Sequence, residues 1–385
     1  MTDATAPRAI IIGGSLGGLF TALTLRAIGW RVDVFERSPH ALDSRGGGIV
    51  LQPDVLHAFH FAGLRHPGAL GVASGDRIFL DRDGKVVQRG YQPQTQTSWN
   101  MLHSLMRQAL PDTQVHAGAT LLRFEQAGGQ VRAYFAGGRV ETGDLLVGAD
   151  GARSTVRQQL LPGVAPDYAG YVAWRGLAPE PALGAADRAL LGGLFAFQQG
   201  PDHMFLEYLV PGEDRSLAPG ARRWNWVWHR KLAQERLAGV MTAVDGRQHA
   251  FSLPPGALRP EHAAALREDA ARNLAPQFSR LVGLTAEPFV QAILDLDSPR
   301  MASGRVVLVG DAASVPRPHT AGGAAKAAAN ALFLAQALQR TELPVEARLR
   351  EWETLQLRAG RLMLDAGRRM GDRIIGVAPG ADASR

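Results

Sequence analysis

Arg8-Ala9-Ile10-Ile11-Ile12-Gly13-Gly14-Ser15-Leu16-Gly17-Gly18-Leu19 decides the reading of the whole chain. Arg8–Ile12 is a short apolar run stopped by glycine, the pattern of a buried strand. Gly13–Gly18 make a tight turn, Leu19–Ile28 reads as a helix, and Gly29 ends it. Arg31–Glu36, with Val32, Val34 and Phe35, is a second strand. The result is a βαβ opening. The turn is one substitution from G-x-G-x-x-G, with Ser15 in place of the middle glycine. Glycines let a pyrophosphate approach the N-terminus of the following helix. Serine is small enough to keep that approach, and its hydroxyl can bond a phosphate. Glu36 ends the second strand where a carboxylate accepts hydrogen bonds from an adenosine ribose; its plainer role is a surface acid. Gly13, Ser15, Leu16, Gly18 and Glu36 are therefore nucleotide-binding candidates.

Composition narrows the class. The chain has 385 residues, enough for one large domain or two interleaved ones. Hydrophobic residues are 46% and charged residues 20%, which excludes a disordered chain. Cysteine is absent, so disulfides, thiolate catalysis and cysteine metal sites are excluded. The formal charge of +6 comes almost wholly from arginine, the lysines being Lys85, Lys231 and Lys326. No dense basic block accompanies it, so no nucleic-acid partner is expected. No run of about 18 uncharged apolar residues suggests a membrane span. The start does not read as a secretory leader. Together these point to a cytoplasmic protein. No metal-ligand spacing is present.

Further along, Arg45–Leu51 reads as a strand and Pro53–Phe61 as a helix with proline in its first turn. Gly75–Leu80 and Lys85–Tyr91 flank a hairpin turn, and Met101–Leu110 is a helix. Ala119–Glu125, Gln130–Phe135 and Arg139–Val147 follow as strands. Tyr171–Trp174, Gly193–Gln198, His203–Val210 and Arg222–Trp228 form an aromatic sheet region containing Trp174, Phe205, Tyr208, Trp224, Trp226 and Trp228. It is either a packed core or the wall of an aromatic pocket. Ala264–Leu274 reads as a helix, and Phe289–Leu296 and Arg305–Val309 as strands. Gly323–Gln339 and Ala347–Met370 are long helices, the last read as a solvated capping helix.

Two more segments repeat the first motif's logic. Leu145-Leu146-Val147-Gly148-Ala149-Asp150-Gly151-Ala152-Arg153-Ser154 and Arg305-Val306-Val307-Leu308-Val309-Gly310-Asp311-Ala312-Ala313 each place glycine and an acid after a buried strand. With these in place, nearly the whole chain resembles the class A flavoprotein monooxygenases, the aromatic hydroxylase family. Its members carry a glycine fingerprint, a D-G motif and a G-D motif in this order. The resemblance implies an α/β (mixed α+β) fold. A Rossmann-like FAD-binding domain (1–74, 98–167 and 297–340) interleaves with a mixed β-sheet substrate domain (75–97 and 168–296), as in para-hydroxybenzoate hydroxylase. A C-terminal helical segment (341–385) follows.

Carried over to this sequence, the resemblance makes Asp311 the ligand of the flavin ribityl chain and puts Pro318 beside the isoalloxazine. It places Gly322, Gly323 and Ala324 at a helix start near the flavin pyrimidine. It adds Arg37, Gly48, Leu121 and Asp150 to the cofactor-binding set. Asp150 and Arg153 have a plainer role as a salt bridge fixing a turn. His319 is the catalytic candidate, either a base poised by an intrinsic pKa near 6.5 or a hydrogen-bond partner of the substrate, with loop support as its alternative. His203 and Tyr208 are secondary pocket candidates, and Lys326 reads as a surface residue of its helix. Three departures stand out. Ala321-Gly322-Gly323 replaces G-Q-G, Asn330 replaces a common Asp, and Trp99 stands where an Arg is usual. That Arg's contact with FAD is then either absent or supplied by Asn100 or Arg107.

The activity implied is hydroxylation of an electron-rich hydroxylated aromatic or N-heteroaromatic ring, resembling the hydroxypyridine subgroup. It uses non-covalent FAD, NADH or NADPH, and O2 through a C4a-hydroperoxyflavin. A homodimer through the C-terminal helices fits the same picture. The alternatives are an FAD-dependent oxidase or dehydrogenase of this fold, and a flavin-binding protein without turnover.

Overall fold

In the computed structural model, which describes residues 6–40, 42, 47–66 and 68–376, Arg8–Ile12 is the centre of a parallel sheet. Its side chains are almost wholly buried beyond Arg8 because strands flank it on both edges. Arg31–Glu36 pairs on one edge and Leu145–Gly148 on the other, both parallel. Val306–Leu308 lies parallel beside Leu145–Gly148, and Val115–Ala117 beside Arg31–Glu36. Helices Leu16–Ala27 and Gly323–Gln339 pack together on this sheet. Gly310 and Gly17 give the backbones room, their Cα atoms lying within 4 Å of each other's glycine Cβ position. A separate meander, Leu121–Ala127, Gln130–Phe135 and Val140–Gly143, covers one end.

The second sheet is larger and mixed. From one edge its order runs Ser252–Leu253, Phe289–Asp297, Asp167–Pro179, Arg223–Lys231, His203–Val210, Phe195–Gln199, Val72–Leu80, Val86–Ser98, Gly48–Val50. Gly48–Val50, expected inside the nucleotide-binding unit, is thus the far edge strand of this sheet. Arg45 and Gly46 of the same expected strand lie outside the described residues. Strand Asp167–Pro179 is far longer than the expected Tyr171–Trp174, since it is paired on both sides. The short helices Thr155–Leu160, Ala185–Leu191, Gln234–Val240 and Pro276–Leu284 escaped the sequence reading. The last helix, Val345–Ile374, is longer at both ends than expected. Among the described residues no helix is long and apolar enough to cross a membrane, and no group of three metal-ligating side chains occurs.

Pleating separates the aromatic residues onto two faces. Trp174 lies opposite Trp228, which lies opposite Phe205. With Trp224 and Trp226 these form a packed back face, together with Phe278 of helix Pro276–Leu284. Tyr208, Phe195 and Val227 lie on the front face. The aromatic region is therefore a core on one side and a wall on the other.

Glu207 points into the back face, opposite Trp226, and is fully buried with no partner for either carboxylate oxygen. Burial pushes its carboxyl well above the usual range. A carboxyl raised on folding destabilises the native state once pH exceeds the unfolded value of about 4.3. That cost grows until pH passes the folded value. Glu207→Gln should therefore melt higher than the parent at pH 8, and the gap should shrink toward pH 4.5, as thermal scans across that range would show. A gap that is constant with pH would mean that Glu207 is not protonated in the fold.

Candidate active site

The carboxyl ends of three adjacent parallel strands carry the three motifs. In open α/β sheets this is where ligands bind. Gly13 takes φ +110°, and a Cβ there would meet the Ala149 carbonyl oxygen at 2.4 Å. A Cβ on Gly18 would sit 1.9 Å from the Gly13 oxygen. The first helix starts with no side-chain cap and no acid in its first turn, so its positive end stays open to an anion. Glu36 reaches back to this turn, its Oε2 accepting from Gly14 N at 2.8 Å and its Oε1 from Ser38 N at 2.9 Å. His103 lies on the other side, its Nε2 3.1 Å from the Gly14 oxygen and its ring stacked on Trp99. Trp99 thus supports the turn where an Arg was expected. Arg107 is committed elsewhere, to Leu110 O and Asp112.

Buried cations stitch the other two loops together. Arg157, wholly buried, donates to Ala152 O at 2.6 Å and to Ala312 O at 3.1 Å. Lys326 donates to Gly310 O at 2.6 Å and Ser314 O at 2.7 Å. It is buried, not a surface residue, and burial pushes its pKa down to about 8. Asn330 accepts from Gly310 N at 3.0 Å, an uncharged substitute for the usual Asp. These contacts leave the Asp311 carboxylate more than half exposed at the loop tip, 3.9 Å from Lys326 Nζ. Asp150 is different. Its carboxylate is used by Ser154 Oγ, Thr155 N and Val156 N, so it caps a helix. The expected salt bridge to Arg153 is not formed among the described residues: Ser154 is the side-chain partner of Asp150, and Arg153 is exposed.

Beyond Asp311 the chain turns toward the front face of the large sheet. Gln52 Nε2 donates to Ala321 O at 2.9 Å and holds Ala321 at φ +51°, a left-handed conformation that glycine would adopt without strain. Helix Gly323–Gln339 begins with an uncapped turn, and a Cβ on Gly323 would meet nothing within 4 Å. Arg317 anchors the loop, pairing with Asp295 at 2.9 Å and Asp372 at 2.8 Å. Gly367 and Gly371 of the last helix leave room for it.

The Tyr171 hydroxyl lies 2.6 Å from His319 Nε2. The Arg317 guanidinium lies 5.7 Å from the centre of the Tyr171 ring, and its positive charge favours the hydroxyl that turns its oxygen toward Arg317 and its proton toward Nε2. Nδ1 then carries the ring proton, and it is buried with no partner. Burial and the Arg317 charge push His319 down to about 3. At neutral pH the ring is therefore an uncharged imidazole whose Nδ1–H is left for a ligand. His229 stacks edge-on at 4.6 Å, with both ring nitrogens buried and unpartnered.

Tyr208 lies on the same front face, against Gly48, where a Cβ would meet its ring at 2.4 Å. Gly48 N donates to Asn225 Oδ1 at 2.7 Å. His203 does not join the cluster. It lies on the back face, accepting from Trp228 Nε1 at 3.1 Å. Leu121 is a core side chain and Arg37 is exposed; both lie near the end of the Glu36 strand, where Ala119 N donates to Glu36 O.

The sequence reading missed Arg157, Tyr171, His229 and Asn225. Period-two alternation along Arg223–Lys231 separates Asn225 and His229 from the tryptophans and could have found those two.

An FAD fits this set. There is an open helix start over a glycine cradle, a carboxylate at each of two strand ends, and a second open helix start with space before Gly323. A methyl on Gly18 should drive the cradle apart, because backbone cannot yield as a side chain can. Gly18→Ala should bind FAD at least about 10-fold more weakly in a fluorescence titration. Unchanged affinity would show that the cradle is not where the dinucleotide lies.

Residues 7–170 match the family described as FAD binding domain, and residues 168–295 the family described as FAD binding domain-like. The chain is 32% identical to 2,6-dihydroxypyridine 3-monooxygenase of Paenarthrobacter nicotinovorans, over 96% of this chain and 92% of that one. It is 27% identical to 6-hydroxynicotinate 3-monooxygenase of Pseudomonas fluorescens, over 87% of this chain and 83% of that one. The solved structure of 2,6-dihydroxypyridine-3-hydroxylase from Arthrobacter nicotinovorans superposes with a TM-score of 0.90 at 30% identity, covering 99% of this chain and 96% of that one. Three motif loops, a two-sheet architecture and these likenesses over nearly the full length lead to one assignment: the chain belongs to the class A FAD-dependent aromatic hydroxylases, monooxygenases that hydroxylate aromatic and heteroaromatic rings.

Proposed function

We propose that this monooxygenase hydroxylates a hydroxypyridine-type ring, with NADH or NADPH as the electron source. One observation carries the reading. The front face beside the Pro318–Gly323 loop gathers unpartnered polar atoms of His319, His229, Arg175 and Asn225 around apolar Val227 and Leu206. A planar ring bearing oxygen and nitrogen substituents matches such a surface, in which few polar groups fix orientation and apolar groups supply contact. The two curated relatives named above are 3-monooxygenases of pyridines that bear hydroxyl groups.

In this reading the Gly13–Gly18 turn and its helix hold the FAD pyrophosphate, Glu36 the ribose, and Asp311 the ribityl hydroxyls. Pro318 and Gly322–Ala324 abut the ring system, and the helix start at Gly323 favours negative charge placed there. FAD supplies the hydride acceptance and oxygen activation that no side chain here can perform. The protein's share is orientation and exclusion of water. His319 Nδ1–H donates to a substrate oxygen, and Tyr171 fixes the tautomer that makes this possible. His229 remains neutral and hydrogen-bonds the ring. The enzyme works as a cytoplasmic protein. The exposed Leu355 and Leu362 of the last helix offer a homodimer contact, which sedimentation of the FAD-loaded protein would reveal.

Turnover with hydroxypyridines, hydroxynicotinates and hydroxybenzoates, followed by product mass under labelled oxygen and by peroxide, tests the substrate class. One labelled atom in a hydroxypyridine product is expected. Peroxide alone with every hydroxypyridine would reject it. His319→Ala should cut coupled hydroxylation by about 10- to 100-fold, in the range of one lost positioned donor. No ionisation of His319 should appear in the profile between pH 5 and 9, because its pKa lies near 3. A limb near pH 6.5 that His319→Ala abolishes would restore it as a titrating base.

A further inference from the structure

We infer that Arg175, with the side-chain amide of Asn225 beside it, forms a subsite for an anionic oxygen of the aromatic substrate. This deepens the reading above for the ligand's identity, but not for its charge.

Two buried guanidinium groups of this protein are well compensated. Arg317 has two carboxylates, and Arg157 donates to three carbonyls. Arg175 has one hydrogen bond, from Nη1 to the neutral Gln291 Oε1 at 3.0 Å, and the Phe289 ring at 5.7 Å. Its Nε is sealed from solvent with no partner, and among the described residues it makes no ion pair. A guanidinium held partly out of solvent without a carboxylate is costly unless something else supplies negative charge. The Asn225 amide nitrogen is equally orphaned, although its oxygen is fixed by Gly48 N. The two side chains converge. A Cβ on Gly47 would lie 2.2 Å from Arg175 Nη2 and 3.0 Å from Asn225 Oδ1.

Strand register puts this pair at the centre of the front face. Arg175 lies opposite Val227, with Asn225 and His229 two residues to either side. The groups facing it are Tyr208 and His229 from neighbouring strands, Gln291 and Phe289 from the other side, and Gly47 from the N-terminal segment. Of the titratable ones, burial raises Tyr208 to about 12 and keeps His229 far below its usual range, so both are neutral at working pH. His319, beyond His229, is neutral too. Among the described residues, Arg175 is left as the uncompensated charge of this face. A planar fork of donors suits a carboxylate or an ionised ring hydroxyl. Binding the ring as its anion makes it electron-rich without a protein base, which agrees with the depressed His319.

The test titrates the FAD-loaded protein, reading the flavin absorbance change. The probes are 2,6-dihydroxypyridine, 6-hydroxynicotinate, 4-hydroxybenzoate and the uncharged 2,6-dimethoxypyridine. Arg175→Gln should weaken the ionised ligands by about 30-fold or more, the usual consequence of losing one buried charge-assisted partner. It should leave the dimethoxy compound within about 3-fold and FAD retention unchanged, and Arg175→Lys should recover part of the loss. Tight hydroxybenzoate binding that depends on Arg175, with no hydroxypyridine binding, would reject the substrate class and keep the subsite. Equal weakening of charged and uncharged ligands, loss of FAD, or a parent protein that binds none of the anions would overturn the subsite.

Discussion

The rest of the structure depends on close backbone approach at the ends of three neighbouring parallel strands. Where Arg8–Ile12 ends, Gly13 meets the Ala149 carbonyl, Gly18 meets the Gly13 carbonyl, and Gly17 meets Gly310. Side chains at these points would hold the turns apart, and the cofactor loops would then face different directions. With glycine they converge on one edge of the sheet. Convergence leaves main-chain carbonyls to be satisfied in a dry interior. Buried Arg157 and Lys326 do that, and in doing so lock the second and third loops to their helices.

From that edge the chain has to reach a second sheet. Gln52, Lys326 and Arg317 hold the connecting loop from three sides. The last helix is part of this arrangement. Asp372 holds Arg317, and Ile374 and Ile375 pack against Tyr171, Ala173 and Ile293 on the front face. The site is thus made from elements spread over almost the full sequence, which accounts for likeness to relatives over nearly the whole chain.

The glycine turns were legible because close approach permits few residues, so the requirement is written locally. The Ala-rich helix Gly323–Gln339 was legible as well, while the roles of Asp311, Pro318 and that helix start followed from the family resemblance. What the sequence hid was facing and charge. His203 and Tyr208 lie on the same strand but differ by an odd number of residues, so pleating sends them to opposite faces; alternation alone could have removed His203. Lys326 sits in a helix of alanines and looks like a solvated residue. Only the neighbouring loops, with carbonyls needing donors, explain its burial. The pKa of His319 could not be read either, because it depends on Arg317 and on burial beneath Tyr171. Nor could Arg175, whose significance lies in its having no ion pair among the described residues.

The central claim is that one FAD lies across the three loops with its ring against the front face. A crystal structure of the FAD-loaded protein tests it most directly. Adenosine is expected at Glu36, the ribityl chain at Asp311, and the isoalloxazine between Pro318–Ala324 and the face bearing His319 and Arg175. Density that ends at the first glycine turn, or a ring placed away from the front face, would contradict it.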